Sequence, residues 1–172
     1  MAHWEHYPHP ADIGIRGFGA TKEEAFAQAA LALTAIVADL QTVELKEEVK
    51  ISCPPPRLAA TDAGAGQEQD DEFLFVSWIN ALIYEMATRQ MLFSRFEVRI
   101  GKPRLIGAQY LAPQFIAGSP GFTRGLSARA FGEKINVKKH SPAVEVKAAT
   151  YTDLKVRQDK NGDWVVQCVV DV

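Results

Sequence analysis

Cysteine is scarce: Cys53 and Cys168 are the only two in 172 residues, too few and too far apart for a disulfide framework or a Cys-x-x-Cys pair. A reducing compartment is the expected setting. Long apolar runs are missing as well. None approaches the roughly 20 residues that a membrane-spanning helix needs, and Met1 to His9 carry no apolar signal core. These absences predict a cytoplasmic protein with no membrane contact. Charge of one sign is also lacking, with 19 Lys and Arg against 21 Asp and Glu, a net charge of -2 and no long basic run. A dedicated nucleic-acid binder is thereby disfavoured, and no stable direct contact with nucleic acid is expected. Nor is there a phosphate-binding loop, because the spacing Gly14-x-x-Gly17-x-Gly19 fits neither the dinucleotide fingerprint nor the P-loop.

What remains is the composition of an ordinary globular domain, 47% hydrophobic and 23% charged, at a length that suits one domain over 1–172. Thr21 followed three residues later by Glu24 is a capping pair, and Phe26, Ala29, Ala30, Leu33, Ile36, Val37 and Leu40 recur at three- and four-residue steps behind it. The pattern predicts a helix ending near 39–42, then a strand over Val43 to Cys53. Asp70, Asp71 and Glu72 place negative charge at the positive end of a second helix, expected from about Glu72 to Arg89. Its apolar stripe of Phe75, Trp78, Ile79, Leu82, Ile83 and Met86 reads as core. Phe96, Val98 and Ile100 alternate with Arg95, Glu97 and Arg99, the period of a strand with one wet face, and Gly125 to Gly132 is its expected partner. The last third reads as a hairpin, Val144 to Arg157 and Trp164 to Val172, joined by a turn at Asn161-Gly162. The segments 54–70 and 101–124 read as loops. This order predicts an α+β fold, a mainly antiparallel or mixed β-sheet packed against two principal helices.

Few groups offer chemistry. His3, His6 and His9 lie three apart, but Pro8 and Pro10 oppose a helix and a strand would point successive members to opposite faces, so no zinc site is expected. Cys168 sits inside an apolar strand, where thiols are usually inert. The chain's last residues are more telling, because the apolar run Cys168-Val169-Val170 ends on Asp171 and then the α-carboxylate of Val172. Such an end is either a solvated terminus or a pair of oxygen donors of the kind hard cations take.

The run His9-Pro10-Ala11-Asp12-Ile13-Gly14-Ile15-Arg16-Gly17 and the capped helix after it resemble the N-terminal signature of the archease family, which usually has Thr where this chain has Pro10. Further matches follow in family order at Trp78 to Tyr84, Leu92 to Phe96, Ala130 to Glu133, Val146 to Tyr151 and Val170 to Val172. The resemblance covers most of the chain except 54–70 and 101–124, which are longer than the family norm. It implies a non-enzymatic activator of an RtcB-type RNA ligase, which joins RNA 3'-phosphate or 2',3'-cyclic-phosphate ends to 5'-hydroxyl ends in tRNA splicing and RNA repair. The activator would promote guanylylation of the ligase's active-site histidine and sustain turnover. A divalent cation, calcium in the family, would bind Asp12, Asp171 and the carboxylate of Val172. His9, Glu133, His140 and Lys147 lie in matching motifs and would line that site or meet the partner. Two other readings stand beside this one: a stand-alone metal-dependent hydrolase using Glu133 and His140 to activate water, and a chaperone-like module binding clients through Tyr110, Leu111 and Phe115.

Overall fold

In the computed structural model, which describes residues 1–54, 67–102, 104–105 and 122–172, the chain opens with an antiparallel hairpin. Its strands are β1 (His3–His9) and β2 (Asp12–Gly19), closed by His9 opposite Asp12. Pro10 holds the first turn position and Ala11 takes φ 66° at the second, the pattern of a type II turn. Helix α1 (Lys22–Val37) follows, with Thr21 as its N-cap accepting from the Glu24 amide. Glu24 Oε2 in turn takes the amide of Ala20 at 2.7 Å, one residue earlier than a standard capping box places it. A short 3₁₀ turn at Leu40–Thr42, capped by Asp39, redirects the chain.

Strand β3 (Glu47–Cys53) starts four residues later than the sequence suggests, because Lys46 still turns back on Glu44 before its amide meets Gly132. Helix α2 (Gln67–Arg89) starts earlier than expected. The acids at 70–72 are therefore inside the helix, and Asp71 forms a buried ion pair with Lys22 at the start of α1. Lys22 also lies over the Trp164 ring, 4.4 Å from its centroid. This tertiary demand explains the acid at 71 better than the helix dipole does. Strands β4 (Met91–Ile100) and β7 (Leu126–Lys134) pair antiparallel as expected, with a bulge between Phe93 and Arg95. Between them β5 (Arg104–Leu105) and β6 (Phe122–Thr123) pair with each other, so the segment read as loop has a paired base. Positions 55–66, 103 and 106–121, including Tyr110, Leu111 and Phe115, lie outside the described residues.

After the one-turn helix α3 (Val137–His140), the span 144–157 is not one strand. It forms β8 (Ala148–Ala149) and β9 (Lys155–Gln158), which pair with opposite ends of β10 (Trp164–Asp171). Thr150 to Leu154 loop out between them, with Asp153 at φ 52°, while Val169 N donates to Thr152 O. The Asn161-Gly162 turn is present, with Gly162 at φ 87°.

Besides the β5–β6 pair, two larger antiparallel sheets form among the described residues, one ordered β1-β2-β10 with β8 and β9 both on β10, the other β3-β7-β4. Helix α1 packs on β2 of the first and on β4 of the second, so it lies between the sheets. Gly17 permits this approach: a Cβ there would stand 2.2 Å from the carbonyl oxygen of Ala25. Trp78, fully buried on α2, donates its indole N–H to Phe26 O at 3.1 Å and ties the helices together. The predicted stripe of Phe75, Trp78, Ile79, Leu82, Ile83 and Met86 is buried throughout. Among the described residues no helix is long and apolar enough to cross a membrane.

Candidate functional site

The hairpin turn and the central strand of the first sheet bring the two ends of the chain together. His9 pairs with Asp12, and β10 runs antiparallel to β2 up to Val170 opposite Ile13. One further step of the same register sets Asp171 level with Asp12, with Ala148 on its other side. Because alternate residues of a strand share a face, Asp12 and Asp171 lie on the outward face, opposite the side that carries Ile13, Ile15, Cys168 and Val170 into the core. Both acids are half-buried. Neither carboxylate makes a hydrogen bond or ion pair with another described residue.

Lys147 completes this end of the sheet. Its amide donates to Asp171 O at 2.9 Å, and its Nζ donates to the Val172 main-chain oxygen at 3.1 Å. Asn80, half-buried on α2, accepts the Ala149 amide at 2.9 Å and so anchors β8, hence Lys147, against the helix layer. His9, Asp12, Lys147, Asp171 and Val172 therefore gather at one edge, although His9 makes no side-chain hydrogen bond there. Its Nδ1 is buried without a partner among the described residues.

Glu133 and His140 belong elsewhere. Glu133 Oε1 accepts the Glu44 amide at 2.9 Å, Lys139 Nζ at 2.5 Å and His140 Nε2 at 3.1 Å, while Oε2 takes Lys46 Nζ at 2.7 Å. His140 Nδ1 accepts the Asn136 amide at 2.9 Å, which leaves its proton on Nε2 for Glu133. The Glu44 amide, then the two ammonium groups, hold the Glu133 carboxyl far below the usual carboxylate range. Lys139 and Lys46 likewise depress Glu44, and Glu133 first of all raises both lysines. Every oxygen and ring nitrogen of this pair is thus committed. Among the described residues no hydrogen bond or ion pair connects the cluster to Asp12, Asp171 or Val172.

The other candidates have structural partners. His3 Nδ1 lies 2.9 Å from Met1 O and its ring stacks on Phe18 at 4.1 Å, whereas His6 Nε2 lies 2.7 Å from Ala32 O. Cys53 and Cys168 are buried, and burial pushes their thiols up to about 11 and about 12, against thiolate chemistry. Sequence reasoning missed Tyr7. Its ring sits where a Cβ on Gly14 would be, 2.3 Å from that position, with the Arg16 guanidinium 4.7 Å from its centroid. The hydroxyl is buried without a partner among the described residues and pushed up to about 12, first by burial and then by Asp153. The pairing of an aromatic with a cross-strand glycine becomes visible only once the register is known.

Chemically, the edge offers two side-chain carboxylates and a main-chain carboxylate, an all-oxygen set that suits a hard divalent cation. Among the described residues no three His, Cys, Asp or Glu side chains converge on a metal position. An ion held here would need the Val172 carboxylate as well as Asp12 and Asp171. The unpaired carboxylates on one face fit such a group.

The model of the Archease protein family (MTH1598/TM1083) matches residues 4–172. The chain is 34% identical to the protein archease of Pyrococcus furiosus over 172 residues, with all of both chains covered. It is 35% identical to that of Thermococcus kodakarensis over 174 residues, again with full coverage of both. Its fold is similar to the solution structure of Methanobacterium thermoautotrophicum protein 1598, with a TM-score of 0.64, 23% identity and 98% of each chain covered. An end-to-end family match and relatives above 30% identity along the whole chain lead to one conclusion: this chain belongs to the archease family.

Proposed function

We propose that this chain is a cytoplasmic activator of an RtcB-type RNA ligase in tRNA splicing and RNA repair, promoting guanylylation of the ligase histidine and repeated turnover. Asp12, Asp171 and the Val172 carboxylate would hold a divalent cation, calcium by family resemblance, and the ion would supply positive charge beside the ligase's nucleotide. Lys147 fixes the terminal residue, and Asn80 fixes the segment that carries Lys147. The observation that supports this reading most is the placement of Asp12 and Asp171 side by side on an outward sheet face with no other partner among the described residues.

The hydrolase reading fares worse, since Glu133 and His140 are bonded to each other and to Lys46, Lys139 and the backbone, and neither is available to activate water at the acidic edge. The discriminating experiment mixes the purified chain with its ligase, GTP and a divalent salt. Ligase guanylylation should rise with this chain and fall back with Asp12→Asn, while the chain alone should turn over neither nucleotides nor phosphate esters. Turnover by the isolated chain would overturn the proposal.

A further inference from the structure

The outward face of the second sheet lies on the opposite side of the helices from the acidic edge, and its strands present three registered rows. Across β3, β7 and β4 these are Glu48, Phe131 and Arg95, then Lys50, Arg129 and Glu97, then Ser52, Ser127 and Arg99. Phe131 and Glu97 are half-buried and the other seven are exposed. Four cations thus face two carboxylates, in a chain whose net charge is -2. Lys50 and Arg129 stand directly opposite each other, a like-charge pairing that costs stability in a sheet.

The charges are not interchangeable. Arg129 pairs with Glu97 and reaches Glu48 at 3.8 Å, and Arg95 lies 2.7 Å from Glu97. Those ion pairs fix two guanidinium groups beside the Phe131 ring, 5.1 Å and 5.5 Å from its centroid. Lys50 and Arg99 have no ion pair or hydrogen bond with another described residue. Among the described residues the face therefore joins an aromatic ring with two oriented guanidinium planes, two unpaired cations and two hydroxyls. Polyanion binding needs the unpaired cations. Ring and guanidinium surfaces beside them are what unpaired bases stack on, whereas an acidic peptide would use the charge alone.

We propose that this sheet face binds single-stranded RNA, with Lys50 and Arg99 on phosphates and the Phe131, Arg95 and Arg129 cluster against bases. The whole-chain net charge conceals the site because it averages over an acidic edge and a basic face. This inference stands apart from the activator reading, since it uses no residue of the acidic edge.

The test is fluorescence anisotropy of a labelled 12-nucleotide oligouridine titrated with the full chain at several salt concentrations. The log-log salt slope for wild type should be about -1.4, the value for the two phosphates that Lys50 and Arg99 neutralise on a single strand. The double variant Lys50→Ala with Arg99→Ala should bind about tenfold more weakly, with a slope about 1.4 less negative. Phe131→Leu should weaken binding between about fivefold and a hundredfold with the slope unchanged. Far-UV circular dichroism checks that each variant is folded, and Lys160→Ala, in the turn before β10, should bind like wild type. The proposal is overturned if binding does not saturate or the double variant matches wild type. It is equally overturned if Lys160→Ala loses as much, an RNA duplex of equal length binds as tightly, or oligoglutamate of equal charge competes as well as unlabelled RNA.

Discussion

At Ala11 one backbone angle governs how His9 and Asp12 meet. Its φ of 66° lies in the left-handed region, where a Cβ costs about 1–2 kcal/mol and glycine does not. After subtracting glycine's larger unfolded-state entropy, Ala11→Gly should stabilise the protein by about 0.5–1 kcal/mol. A urea denaturation midpoint raised at constant slope would confirm it; a lowered midpoint would show that the turn does not strain its alanine. Glu133 gives a pH signature. Its folded-state pKa is depressed, first by the Glu44 amide and then by the lysines, so its stabilisation is complete above the unfolded carboxylate value of about 4.3 and disappears as pH falls through the folded value. Glu133→Gln should therefore be less stable than wild type at neutral pH, and the gap should narrow as pH is lowered below about 4.3. Thermal unfolding of both proteins from pH 7 downward measures it, and a gap independent of pH would assign the cost to packing instead.

Elements differ in how much of them the sequence revealed, and the difference follows from which forces set their ends. Helix α1 was legible because its cap and its apolar stripe are local: Thr21 bonds Glu24, and Phe26, Ala29, Ala30 and Leu33 repeat at helical spacing. The face of α2 was legible for the same reason. Leu82 is fully buried, so Leu82→Ala should cost about 2–5 kcal/mol in chemical denaturation, and a change near zero would mean that its cavity collapses completely. The start of α2 was not legible, because Asp71 answers to Lys22, 49 residues away. Neither was the division of 144–157, since β8 and β9 are separated only by where β10 offers partners. The first hairpin also escaped, because Pro10-Ala11 lacks the Asn-Gly signal that marked the turn at 161–162.

For the whole molecule, the candidate site is a product of register. Asp12 and Asp171 stand at opposite ends of the chain, and the antiparallel pairing of β2 with β10 alone makes them neighbours. Residue types suggested an oxygen-donor terminus, and the family resemblance supplied Asp12 as its companion. Lys147 at Val172 agrees with that grouping, while Glu133 and His140 form a separate structural cluster that sequence adjacency of motifs could not distinguish. Asp12→Asn and Asp171→Asn should each weaken calcium binding and ligase guanylylation while leaving the fold intact, because both carboxylates lack other partners among the described residues. The most direct measurement concerns the main-chain carboxylate, which no side-chain substitution can imitate. Calcium affinity is measured by titration calorimetry for wild type and for a chain extended by Gly-Ser after Val172, alongside guanylylation of the ligase. The extension, which replaces a charged ligand with a neutral amide, should weaken both while the unfolding midpoint stays unchanged. An extended chain that binds calcium and activates the ligase as wild type does would contradict a role for the Val172 carboxylate.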